Sequence, residues 1–220
     1  MIRSEGGTFR LSGSYMLLEQ SAQKYAQRRL GQLDSTAKLN DLRGEFLATS
    51  TQSMPIAGII YWSIVAVAAL YVTPNQLGYI VGFGSGMIFP LGLLIDLLRG
   101  RKMKKMSPGN PVGQLFFQSM GLVALFWPLV IIAAILAHNA SLVVLGGAIL
   151  MGLIWIPYGW AADDPVGLQH AVARSILSYA CFLFVPEPYK ATAISVAVLL
   201  CYTYSLIRMR KAQAQLRHWY

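Results

Sequence analysis

Charged side chains are scarce in this chain: Asp, Glu, Lys and Arg make up 12% of its 220 residues, whereas 55% are hydrophobic and the mean hydropathy is +0.51. That composition lies far from the soluble globular average and reads as a membrane protein. Acidic residues are rarest, nine Asp and Glu against eighteen Lys and Arg, which leaves a formal net charge of +9. The excess does not describe a nucleic-acid surface, because the basic residues sit in short flanks between apolar runs rather than along one soluble face. Cysteine occurs twice, at Cys181 and Cys201, both inside apolar runs. This excludes a disulfide framework and reads both as small buried hydrophobes. The three histidines, His138, His170 and His218, fall on a connector, a helix and the tail. They lack metal-ligand spacing, so no metal and no other cofactor is expected. Catalytic spacing is missing too. Gly84-Ser85-Gly86 lies within an apolar helical run rather than at a strand-to-helix turn, and no βαβ unit surrounds Gly82-Phe83-Gly84. The chain is not expected to be an enzyme.

What is present is helical periodicity and long apolar runs. Residues 1–13 are polar, carry no apolar signal-peptide core and read as a disordered tail. Residues 14–54 form an expected amphipathic helical segment on the cytoplasmic side, with Tyr15, Leu18, Ala22, Tyr25 and Ala26, then Leu39, Leu42 and Phe46, at three- and four-residue spacing. It reads as a solvated tail, or as a segment docked on anionic lipid or on the protein's own cytoplasmic face. Residues 55–207 hold six apolar runs at about Pro55–Val72, Leu77–Leu98, Gly113–Ala137, Leu142–Ala162, Val166–Val185 and Ala191–Ile207. Each approaches the roughly 20 residues that cross a bilayer core as a helix. The fold class is therefore an all-α integral membrane bundle of six transmembrane helices, followed by a basic tail over 208–220. If the amino terminus is cytoplasmic, that side collects every connector and tail Lys and Arg except Lys190, which puts both termini inside.

Gly82, Gly84, Gly86 and Pro90 distort the second run, and proline leaves a carbonyl that a neighbour must satisfy, so this run is expected to pack inside the bundle. Pro128 and Pro157 supply two further interruptions, of the kind transporters place at binding sites. Gly82, Gly86, Gly146 and Gly147 form small-residue faces suited to a homo-oligomer or to packing within one chain. Asn110-Pro-Val-Gly113 and Asp164-Pro-Val-Gly167 each read as a capping residue with proline at the helix start.

Arg174 is the first candidate for function, because it lies eight residues into the fifth run, roughly 12 Å along its axis. His170, Ser178 and Cys181 share its face at helical spacing. One reading is a cytoplasm-facing pocket in which Arg174, with His170, Ser178, Tyr158, Gln114 and Gln118, binds a small anionic solute or lipid. The other is a structural ion pair with Asp96, Asp163 or Asp164. For the whole protein the same choice stands between a membrane protein that binds or transports an anion and a non-transporting scaffold or sensor that engages a cytoplasmic protein partner through its amino-terminal helices.

Several short strings then line up. Asp41-Leu-Arg-Gly-Glu-Phe46 precedes Pro55-Ile-Ala-Gly58 and Tyr61-Trp62. Gly84-Ser-Gly-Met-Ile-Phe-Pro-Leu91, Asn110-Pro111, Trp127-Pro128 and Ile156-Pro-Tyr-Gly-Trp160 follow. Over about Asp41 to Ile207 the chain resembles an uncharacterised family of bacterial multi-pass membrane proteins, known only as a domain of unknown function. The resemblance implies bacterial origin, the cytoplasmic (inner) membrane and a compact helical bundle, and it implies no activity or substrate.

Overall fold

The computed structural model describes residues 38–48, 53–100 and 109–216, with side chains up to Met209. The expected tail over 1–13, the helical periodicity before residue 38, the basic stretch 101–108 and the side chains of the basic tail beyond Met209 lie outside the described residues. The chain divides after Leu42. Of the first unit residues 38–42 are described, and they are helical. The second unit begins at Arg43 with α1 (43–48) and holds the rest of the described fold.

Every regular element among the described residues is helical. After α1 come α2 (Met54–Tyr71), α3 (Pro74–Gly84), a single 3-10 turn (Ser85–Met87), α4 (Ile88–Leu98), α5 (Pro111–Leu136), α6 (Ser141–Leu153), α7 (Trp155–Ala162), α8 (Val166–Phe184) and α9 (Lys190–Leu216). Five stretches are long and apolar enough to cross a membrane: Met54–Tyr71, Pro74–Leu98, Pro111–Leu136, Ser141–Ala162 and Lys190–Met209. At 19 residues α8 has the length but not the composition, because Gln169, His170 and Arg174 lower its hydropathy.

Two of the three prolines break their helices and one does not. Pro90 and Pro157 are each the third residue of a helix that restarts after a break, α4 after the 3-10 turn and α7 after Ile154. A missing amide in a first helical turn leaves little unsatisfied, so the break and the proline accommodate each other. Pro128 lies inside α5, which runs on through it, so the expected interruption there is absent. The capping reading holds for Asn110, whose side chain accepts from the amides of Val112 and Gly113 with Pro111 first in the helix; at α8 the cap position is Pro165, and Asp164 stands one residue further out with its carboxylate accepting from Val166 N at 2.9 Å.

The core lies where α2, α6, α8 and α9 meet, with α9 packed most extensively against α2 and α8. Glycines set the closest approaches. A Cβ on Gly167 would run into the Trp155 carbonyl and the Cα of Gly159, so α7 and α8 cross backbone to backbone. Gly146 faces Val130, and Gly147 faces Val81 and Trp127, which assigns both to packing within the chain. The α3–α4 stretch departs from the expectation of a buried span. Gly84 does sit under the Tyr61 ring, but Gly82 and Gly86 have open space around them and Tyr79, Phe83 and Met87 are exposed. The stretch packs through one face only, with Leu77, Val81, Ile88 and Asp96 buried, Gly84 under the Tyr61 ring and the Tyr61 hydroxyl donating to the Val81 carbonyl at 3.1 Å.

The two ends of the bundle carry different polar contacts. At one, Arg43 pairs with Asp163 at 3.0 Å and lies over the Trp160 ring, Asn110 donates to Glu45 at 3.0 Å, and Phe46, 1% exposed, packs on Phe116. Nearby in sequence, Ser53 donates to the buried Asp96 at 2.6 Å. At the other, Ser141 donates to Glu187 at 2.9 Å and Lys190 lies 3.6 Å from the same carboxylate. Helix α1 is thus docked on the bundle, because Phe46 supplies an apolar anchor between two polar contacts.

The glycine contacts make opposite predictions. Gly167→Ala forces a methyl into backbone and should cost about 3 kcal/mol or prevent accumulation of folded protein. Gly82→Ala meets open space and should be neutral or gain up to about 1 kcal/mol from helix propensity. Thermal unfolding of the two variants in detergent checks the pair.

Candidate functional site

Helix α8 is polar on the inside. Its buried residues are Val166, Gly167, His170, Ala171, Arg174 and Ser178, one stripe at helical spacing. Leu168, Val172, Ile176, Leu177, Leu183 and Phe184 are on the outside and exposed. His170, Arg174 and Ser178 are all 0% exposed. Cys181, next on that face, is a free cysteine and only half-buried.

Aromatic rings from three helices hold the stripe. Trp155 of α7 stacks on His170 with centroids 4.1 Å apart and planes at 16°, and Tyr202 of α9 meets the same imidazole edge-on at 5.0 Å. The Arg174 guanidinium carbon lies 5.2 Å from the centroid of Trp62 on α2 and 5.2 Å from that of Tyr202. Two cation–π contacts in a buried setting are each worth about 2 kcal/mol. Two glycines make room. A Cβ on Gly58 would occupy the Tyr202 ring, and one on Gly152 would stand 3.1 Å from Arg174 Cδ and 3.4 Å from Nε. Gly152 lies beside the break at Ile154, so the interruption of α6–α7 is where the arginine enters.

Hydrogen bonding fixes the imidazole and leaves the guanidinium open. The Cys201 carbonyl, 3.2 Å from His170 Nδ1, can only accept, and in the tautomer with the proton on Nδ1 the imidazole donates to it. Ser205 Oγ lies 2.8 Å from the same nitrogen. Nε2 is then an acceptor, and Arg174 Nη1 approaches it at 3.5 Å. Arg174 Nε and Nη2 are buried without a hydrogen-bond partner among the described residues, as are Ser178 Oγ and Trp62 Nε1. No carboxylate lies within 4 Å of Arg174 among the described residues.

The expected ion pair is therefore not the one formed. Asp163 is taken by Arg43, Asp164 accepts from Val166 N at the start of α8, and Asp96 accepts from Ser53. Each acid is engaged at the bundle end before an arginine a helical turn or more deeper could reach it. Of the other expected site residues, Tyr158 sits one ring away, its ring edge-on to Trp155 and to Phe116. Gln114 and Gln118 lie on exposed parts of α5 and are not brought to the stripe. Of the helix-break residues, Pro157 lies on α7 beside the stripe, whereas Pro90, Pro128, Gly82 and Gly86 are away from it. Trp62, Tyr202 and Gly152 carry the site without a signal in the sequence, since aromatic and small residues occur throughout the apolar runs. Among the described residues no group of three or more His, Cys, Asp or Glu could hold a metal ion.

If Gly152 makes room for the arginine, Gly152→Val should cost about 3 kcal/mol. Part of that loss should return in the double variant with Arg174→Ala, whose shortened side chain vacates the space. Additive effects in the thermal unfolding of the two singles and the double would show that the contact is not made.

Comparison with known proteins gives a family and no activity. No curated protein and no solved structure matches the chain. Residues 39–210, which contain all the helices that form the stripe and its aromatic walls, match the family of unknown function DUF7010, and the chain belongs to that family.

Proposed function

We propose that this is an integral membrane protein of six spans that binds a small anion at Arg174, within the bundle, as a step in its transport. The observation that carries the reading is a guanidinium fully buried, held by two aromatic rings, with two unpartnered N–H-bearing atoms and no acid beside it. A buried unpaired charge is costly anywhere in a protein and is rare within membrane helices except at functional sites. An anion from outside the chain would offset that cost. The site sits where α6 and α7 are interrupted, which suits a position reached by a solute. The resemblance and the Lys and Arg distribution support a bacterial inner membrane with both termini in the cytoplasm.

Helix α8 is the sixth crossing in this proposal. Its outer face is largely apolar, with Gln169 exposed near its start, and His170, Arg174 and Ser178 turn inward, so most of what lowers its hydropathy is hidden from lipid. It starts beside Asp163, which pairs with Arg43, and ends before Glu187, which bonds to Ser141 at the other connectors. Single cysteines in a Cys181→Ala, Cys201→Ala background test this. Arg99→Cys and Arg208→Cys should react with an impermeant maleimide from one side of oriented vesicles, and Tyr189→Cys from the other. Reaction of Arg99→Cys and Tyr189→Cys from the same side would leave five spans.

Anion binding is tested through stability. In zwitterionic buffer lacking small oxyanions, Arg174→Met should be within about 1 kcal/mol of the parent, where breaking a buried ion pair would cost about 3–5 kcal/mol. Parent protein in detergent should gain thermal stability with added anion and Arg174→Met should not. A parent that responds to no anion would remove the proposal and leave the scaffold or sensor reading.

A further inference from the structure

We infer that the anion is a monocarboxylate, taken side-on by the Nε–Nη2 edge of Arg174 with the Ser178 hydroxyl as third donor; this rests on the anion-binding reading above. The unpartnered atoms of Arg174 are not any two nitrogens. Nη1 faces His170, and the pair left over, Nε and Nη2, is the edge of a guanidinium whose two N–H bonds run parallel. Parallel N–H bonds match the two oxygens of a planar carboxylate in a bidentate fork. A halide presents one atom to that edge and forgoes the match.

Ser178 points the same way. Helical serines and threonines commonly return their hydroxyl to the carbonyl four residues back. Ser119, Ser175, Ser195 and Thr203 all do so in this protein, at 2.8–2.9 Å. Ser178 does not, although it lies on the same helix as Ser175 and is fully buried. Its hydroxyl is left one turn beyond Arg174 on the same face, available to an oxygen held by the guanidinium. The charge count selects a monoanion. Arg174 is the single Arg, Lys, Asp or Glu in the stripe, and both ring nitrogens of His170 are engaged within the chain. Titratable groups packed on that histidine are Arg174 of its own helix, Cys201 and Tyr202 of α9, and none of them is a carboxylate. A phosphate dianion would arrive with one charge left unmatched in a buried site.

The experiment measures thermal stability of the purified full chain in detergent against acetate, chloride and phosphate at fixed ionic strength. Acetate should stabilise the parent at concentrations at least tenfold below chloride and phosphate. Ser178→Ala should weaken the acetate response about tenfold while the anion-free protein stays folded, because a buried hydroxyl without a partner is a cost to the empty state that alanine removes. Arg174→Lys keeps the charge and loses the parallel edge, so its preference for acetate over chloride should disappear. Octanoate run beside acetate separates two sources of the same group: a tighter octanoate response indicates an acid arriving from the lipid, an equal one an acid from water. Equal action of chloride, or preference for phosphate, overturns the carboxylate assignment and leaves anion binding standing, as does a retained acetate preference in Arg174→Lys. Absence of any Arg174-dependent response to the three anions overturns both.

Discussion

Everything around α8 follows from one constraint, that a guanidinium must be kept away from both water and lipid without a carboxylate to neutralise it. The protein meets this with faces of rings. Trp62 and Tyr202 offer the guanidinium their π-electron density, and Trp155 and Tyr202 hold His170 so that a nitrogen lone pair faces Nη1. Such contacts stabilise a cation without using up its outer N–H edge, as a salt bridge would. An arginine paired with Asp163 would be satisfied and inert. The same acid is instead held by Arg43 on α1, so docking of that segment also keeps a competing carboxylate at the bundle end.

The interruptions in the helices serve this arrangement. Four glycines bring the walls of the stripe together: Gly58 admits the Tyr202 ring, Gly152 admits the arginine stem, and the Gly159–Gly167 crossing fixes α7, with Trp155, against α8, with His170. The break at Ile154 lets α7 change direction so that Trp155 can stack on the imidazole while Gly152 remains on α6. By contrast α5, the candidate span with the smallest share of buried residues at 6%, continues through Pro128 and contributes no residue to the stripe. Proline alone therefore does not mark the site in this bundle; proline at a restart next to a close glycine does.

The helices were legible in the sequence because apolar runs of membrane length are set by composition, and the capping strings at Asn110 and Asp164 mark their helix starts by local chemistry. The polar stripe was also legible, since His170, Arg174 and Ser178 recur on one face whatever their partners. The partners were not. Choosing between Asp163 and Trp62 as neighbours of Arg174 depends on which helices cross and how deeply, and that is decided by contacts such as Gly152 on Arg174 that a linear pattern does not encode. Gln114 and Gln118 illustrate the converse: i,i+4 amides in an apolar run suggested a cavity, yet they fall on an exposed part of α5 because that helix touches the core mainly through Val112, Gly113, Phe116 and Ala134.

Helix α8 shows why composition and burial have to be weighed together. A helix is judged fit for lipid by its average hydropathy, which treats all faces alike, and by that measure α8 falls short while five other stretches qualify. What surrounds a helix meets one face of it, and on α8 the exposed face includes Leu168, Val172, Ile176, Leu183 and Phe184. The deficit comes largely from residues that point inward, where they cost free energy unless something occupies them. A polar residue that lowers the apolar average of a span and yet lies at 0% exposure has to be accounted for by the interior, by a protein partner or by a ligand. For His170 the partners are Cys201 and Ser205. For Arg174 Nε, Nη2 and the hydroxyl of Ser178 the described chain supplies none, so α8, which falls short as a span by composition, also carries buried hydrogen-bonding capacity that the described residues leave unused.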